Sequence, residues 1–158
     1  MTDEDRIHLP SSLGYLLKEA ASALRIAMED VLRPLHMTVT RYSCLELLAQ
    51  RPGLSGSELA RGAFITRQSM GVLLQSLEEE GLVARAETPA VGKALPAELT
   101  ALGRERLRLA SAAVRGVELR MLDGMGPDEQ RAAFELLQRM TRALRDLPEP
   151  SAPPGPEG

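Results

Sequence analysis

The strongest constraint on this chain is the punctuation of residues 54–100, LSGSELARGAFITRQSMGVLLQSLEEEGLVARAETPAVGKALPAELT. Ser55 and Glu58 form an S-x-x-E capping box, so a short helix is predicted from Gly56 to about Gly62. Thr66 caps a longer helix that runs to Glu80, where Gly81 supplies the left-handed residue that ends it. Leu82 to Arg85 then reads as a short strand, residues 86–94 as a loop carrying Pro89 and Gly92, and Leu95 to Leu99 as the return strand. Pro96 has no N–H to give to a ladder, so the return strand must be an edge or barely paired there. Two short helices followed by a two-stranded hairpin is the grammar of a winged helix-turn-helix.

The flanks are helical. Residues 1–10 read as a loose arm, and Ser11 or Ser12 caps a helix that Pro34 stops at Arg33. Its apolar positions Leu13, Leu16, Leu17, Ala20, Leu24, Ala27, Met28 and Val31 form one stripe at three- and four-residue steps. Thr38 or Thr40 caps the next helix, which Pro52-Gly53 closes. Thr100 caps a helix ending near Asp123-Gly124, and Gly126-Pro127-Asp128-Glu129 opens the last one. Phe134, Leu137, Met140, Leu144 and Leu147 mark the buried face expected for it. The Pro-rich end, 148–158, reads as disordered.

The fold class expected is therefore mainly α with a small β-hairpin wing, an α+β winged helix-turn-helix spanning about 38–100 plus a helical region. Residues 11–147 form a single domain in this reading. The long helices near 11–33, 101–122 and 127–146 lie outside the winged core and need a cover for their apolar faces. Either they pack on the winged domain alone or they pair with a second copy. Helices converging from both chain ends suit an isologous two-fold homodimer.

Composition narrows the function. Cys44 is the single cysteine and His8 and His36 the only histidines, which leaves no material for a disulfide, a metal site or a nucleophile–base pair. No enzyme activity, catalytic residue, metal or cofactor is expected, and Cys44 reads as a core filler, with an oxidant-sensing thiol as the lesser alternative. No apolar run approaches the length of a membrane span, and the acidic N-terminus is unlike a signal peptide, so a cytoplasmic protein is expected. The charge balance, 22 acidic against 19 basic residues, is not that of a strongly basic nucleic-acid binder. Any DNA contact must therefore rest on local charge, and Arg61, Arg67, Arg85 and Lys93 are the basic residues of 54–100.

Projected at 100° per residue, the helix after Thr66 puts Met70, Leu73, Leu74 and Leu77 on a core side. Gln68, Val72, Gln75 and Glu79 fall opposite, with Gly71 and Ser76 at the margins. Glutamine can take adenine N6 and N7 together, and an aliphatic side chain can meet a thymine methyl. Arg67 and Ser69 stand in the first turn, where helix N-termini favour phosphate. An ordinary solvated face with a half-buried Val72 is the competing reading.

The run PGLSGSELARGAFITRQSMGVLLQSLEEEGLVAR, followed by LTALGRE, resembles the core signature of the MarR (multiple antibiotic resistance regulator) family of winged-helix transcription factors. The likeness extends from about Leu13 to Leu147. It implies a homodimer joined by its first and last two helices, set on the two half-sites of a pseudo-palindromic double-stranded DNA operator. It also implies repression relieved by a small aromatic or lipophilic effector. Thr66, Arg67, Gln68 and Ser69 match the start of the family's reading helix, and Ser55, Gly71, Val72, Gln75, Arg85 and Lys93 complete the expected DNA set. Similar proteins carry Asp-x-Arg in the wing; Val91 and Lys93 stand there instead, which removes the planar fork of arginine from the minor groove. Tyr15, Met28, His36, Met37 and Arg41 lie where the family's effector pocket would fall. The acidic balance and altered wing keep a second reading open, a winged-helix protein-interaction module without competent DNA binding.

Overall fold

A computed structural model of the protein describes residues 5–85, 92 and 96–146. The chain forms two compact units, Met1–Met121 and Leu122–Gly158.

In the first unit, Ser12 rather than Ser11 caps α1 (Leu13–Leu32), its Oγ accepting the Tyr15 N–H at 3.2 Å. A 3-10 turn over Arg33–Leu35 follows, and His36 takes a left-handed backbone with φ 53°. Thr38, not Thr40, caps α2 (Val39–Gln50) by accepting the Arg41 N–H at 3.2 Å. The side chain outcompetes a further helical turn here because it satisfies a backbone N–H that has no partner within the helix. The Ser55–Glu58 box opens α3 (Gly56–Gly62), and Thr66 caps α4 (Arg67–Glu79) through the Ser69 N–H at 3.1 Å.

Gly81, with φ 75°, turns the chain into β1 (Val83–Arg85), which pairs antiparallel with β2 (Ala97–Leu99) in the register Val83–Leu99, Ala84–Glu98 and Arg85–Ala97. The return strand is shorter than expected: it begins directly after Pro96, whose missing N–H cannot extend the ladder. The wing tip, including Val91 and Lys93, and the expected strand start Leu95 lie outside the described residues.

Thr100 locks the hairpin to α5 (Ala101–Met121). Its Oγ1 donates to the Gly81 carbonyl at 2.6 Å and accepts the Gly103 N–H at 3.0 Å, while its N–H donates to the Leu82 carbonyl at 3.1 Å. Gly103 lies so close to that same carbonyl that a Cβ on it would stand 2.0 Å from the oxygen. Around this junction Leu32, Leu45, Leu59, Met70, Leu77 and Leu82 form the core, with Leu107, Ala110 and Val114 of α5 closing it.

Only part of the apolar stripe of α1 joins that core. Met28 and Val31 pack against it, whereas Leu13, Leu16 and Leu17 stay exposed. In the second unit α6 (Pro127–Arg145) starts as expected, with the Gly126 N–H donating to Glu129 Oε1 at 3.3 Å. Its expected burial differs within this chain: Phe134, Leu137 and Leu144 are exposed and Met140 is only half-buried, since an apolar face read from helical spacing does not say what covers it. Leu147 lies outside the described residues. No helix among the described residues is long and apolar enough to cross a membrane.

Candidate nucleic-acid interface

The turn between α3 and α4 is held by the Ala63 N–H on the Leu59 carbonyl at 3.0 Å and the Ile65 N–H on the Ala60 carbonyl at 3.0 Å. Phe64, between them, adopts φ 59° and is 87% exposed. This turn delivers Thr66, whose hydroxyl accepts the Ser69 N–H and donates to Ser69 Oγ at 2.9 Å. The first turn of α4 is thus fixed, and its residues Arg67, Gln68 and Ser69 are exposed at a helix N-terminus, a position that favours an anion.

Burial of Met70 and Leu77, with Leu73 and Leu74 half-buried, fixes the rotation of α4 about its axis. Arg67, Gln68, Ser69, Gly71, Val72 and Gln75 are consequently all exposed. Val72 is 67% exposed, so the half-buried alternative for it is set aside. The Gln75 amide makes only a long contact to Glu79 Oε1, 3.5 Å, which leaves it available for other acceptors.

A groove of about 590 Å³ runs between α3 and α4, lined by Ser55, Gly56, Ser57, Glu58, Arg61, Arg67, Met70, Gly71 and Leu74. It brings together three of the expected DNA-facing residues, Ser55, Arg67 and Gly71. Arg61, counted in the sequence only as local charge, shares this groove with Arg67. The signal was its place in the last turn of α3, which a capped seven-residue helix ending at Gly62 brings beside the start of α4. Among the described residues no ion pair engages Arg61, Arg67 or Arg85. Arg85 is exposed at the end of β1, opposite Ala97.

The expected effector residues separate. A second, open cleft of about 390 Å³ is lined by Glu29, Arg33, His36, Met37 and Thr38, where α1 gives way to α2. His36 and Met37 line it; among the described residues Tyr15, Met28 and Arg41 do not. Tyr15 is exposed on α1 and Met28 packs on the core. Arg41 is ion-paired to Glu80, the residue that closes α4, and this guanidinium holds the Glu80 carboxyl below its usual range. Glu29 and Arg33 escaped the sequence reading because their i, i+4 spacing is that of any solvated helix face.

Two further groups belong to the core side of α2. Burial pushes the Cys44 thiol up to about 12, and its Sγ lies 3.7 Å from Met70 Sδ. Tyr42 is likewise pushed to about 12, by burial first and by its hydrogen bond to Glu46 second. Glu46 accepts the Tyr42 hydroxyl at 2.9 Å, the Gln50 amide at 2.6 Å and the Ser111 hydroxyl, which fastens the middle of α2 to α5.

Residues 37–94 match the model of the MarR family. Over 128 residues the chain is 41% identical to the HTH-type transcriptional repressor Rv2887 of Mycobacterium tuberculosis, an alignment covering 81% of this chain and 92% of that protein. The chain belongs to the MarR family. Its fold agrees with solved structures of that relative. The complex of Rv2887 with salicylic acid superposes with a TM-score of 0.68 at 39% identity, covering 87% of this chain and 98% of the other. The complex of Rv2887 with DNA superposes with a TM-score of 0.67 at 39% identity, covering 82% and 98%. In MarR terms, α3 and α4 are the helix-turn-helix of this chain and β1 and β2 the base of its wing.

Proposed function

We propose that this protein is a homodimeric, sequence-specific double-stranded DNA-binding regulator of transcription, a repressor relieved by a small-molecule effector. The observation that carries this reading is the outward face of α4. Gln68 and Gln75 offer bidentate amides around the exposed aliphatic side chain of Val72, on a helix whose exposed start carries Arg67 and Ser69. In this account Thr66 sets the helix start, Arg67, Ser69 and Ser55 engage phosphate, and Gly71 lets the helix approach the groove closely. Gln68, Val72 and Gln75 read base edges, while Arg85 and Lys93 add wing contacts to the backbone. Rv2887, 39% identical, has been solved in complex with DNA, which supports a DNA-binding role.

The dimer rests on two unpartnered apolar faces, Leu13, Leu16 and Leu17 on α1 and Phe134, Leu137 and Leu144 on α6. Helices near 11–33, 101–122 and 127–146 form the dimerisation region in this reading, and half-sites lie about one helical turn apart. The effector is a small aromatic or lipophilic anion, since Arg33 and His36 offer polar donors beside the thioether of Met37. Salicylic acid is bound by Rv2887, which supports that class. The site of action is the cytoplasm, where the DNA is, and no catalysis is assigned.

A mobility-shift titration against the DNA upstream of its own gene tests the proposal. Specific binding is expected that weakens steeply with salt and is lost on Arg67→Ala. No shift, together with stable capture of a protein partner through α4, would favour the interaction module instead.

A further inference from the structure

We propose that the Arg41–Glu80 ion pair is a strut through which an occupant of the α1–α2 cleft acts on the reading helix α4; this rests on the effector-responsive reading above. The pairs Arg25–Glu29, Arg33–Asp30, Arg108–Glu105 and Arg131–Asp128 join groups only three or four positions apart in the chain. Arg41–Glu80 instead ties the first turn of α2 to the residue that closes α4, 39 positions away. The Arg41 side chain is only 17% exposed, so it is held in place rather than waving in solvent. Glu80 is the C-cap of α4, and its other oxygen accepts the Ser76 hydroxyl at 3.4 Å.

The other end of the strut starts in the cleft. Thr38 lines it and caps α2 by accepting the N–H of Arg41, so the wall of the cleft and the root of the strut are one turn of backbone. His36, also in the wall, holds the left-handed conformation that lets the chain double back there. Further along, α2 is fastened to α5 through Glu46 and Ser111 and touches the start of α4 through Cys44 and Met70. With its middle fixed, a displacement of the first turn of α2 is passed to the far end of α4. Glu80 is followed by Gly81, whose carbonyl takes the Thr100 hydroxyl, so the same displacement reaches the base of the wing. Arg41 and Glu80 are thus positioning residues in this account: neither lines the cleft, and the pair sets where α4 points. A pair whose carboxylate is half exposed contributes little to stability, but coupling requires only that the occupied and empty clefts favour different positions of the pair.

The test does not need the natural effector. Arg33→Cys places a thiol in the cleft wall, and N-phenylmaleimide attached there is an aromatic occupant; buried Cys44 does not compete for the reagent. Hydrogen exchange of the α4 amides from Leu77 to Glu80 is compared before and after labelling, in backgrounds with the pair intact, with Glu80→Gln, and with the charges exchanged by Arg41→Glu and Glu80→Arg. Labelling is expected to speed exchange about fivefold with the pair intact, the lower end of ordinary allosteric coupling. The effect should vanish in Glu80→Gln and return in the charge-exchanged protein. An equal effect without the pair, or none with it, overturns the strut. A mobility shift on the unlabelled protein judges the regulator reading separately, so loss of DNA binding and loss of coupling are distinguishable.

Discussion

Gly103→Ala should destabilise this protein although it places a better helix former inside α5. Alanine gains about 1 kcal/mol over glycine in a helix interior. Against this, the new Cβ would sit 2.0 Å from the Leu82 carbonyl oxygen, 3.0 Å from its carbon and 3.3 Å from its Cα. The obstacle is backbone, not the tip of a flexible side chain, and it is held from several directions. Leu82 is buried, its N–H donates to the Leu77 carbonyl at 3.0 Å, and its carbonyl accepts the Thr100 N–H at 3.1 Å. Relief requires α5 and the strand base to separate by about 1 Å, which costs about 1–3 kcal/mol as overpacking and roughly another 1 kcal/mol in hydrogen bonding at Thr100. The net expectation is a loss of about 1–3 kcal/mol, or a fall in Tm of roughly 2–12 °C for a chain of this size. Circular-dichroism melts at one fixed protein concentration measure it, with Gly116→Ala as the control. Gly116 meets nothing within 4 Å on the same helix and should melt slightly higher when replaced. If Gly103→Ala melts at or above the parent protein, the proposed locking of hairpin to α5 is wrong.

Two other outcomes are expected. At Phe64, whose φ is 59°, glycine should be more stable than valine by about 1–2 kcal/mol, because a β-branched residue resists the left-handed region; equal urea midpoints would contradict this. Cys44 and Tyr42 have folded values near 12, above their ordinary 9.0 and 10.0, so the unfolded chain releases these protons first as pH rises. Their contribution is fully present below about pH 9 and declines toward pH 12, so urea midpoints should fall over that range and fall less steeply in Cys44→Ala.

Much of the fold was legible because its signals are local. Ser55, Glu58, Thr66, Gly81 and Thr100 each announce a helix end within three or four residues, and the structure uses them as caps and turn residues. The choice of Ser12 over Ser11 and Thr38 over Thr40 was not legible, since either hydroxyl satisfies the same rule. The exposure of Leu13, Leu16 and Phe134 was hidden for a different reason: periodicity says that a face is apolar, not what covers it. For the candidate site, the outward set on α4 followed from helical projection once Met70 and Leu77 were assigned to the core. The groove with Arg61 and the Arg41–Glu80 pair depends on how elements pack across as many as 39 positions, and no local pattern carries that. The wing positions Val91 and Lys93 keep only what the sequence says of them.

The central claim is that α4 reads base pairs with its exposed amides. Selection of bound duplexes from a randomised pool, by the parent protein and by Gln68→Ala, tests it most directly. The account predicts a two-fold symmetric site in which Gln68→Ala relaxes preference at one base pair per half-site, by about 1–3 kcal/mol, and leaves the others intact. An unchanged preference at every position, or a uniform loss across all sequences, would contradict it.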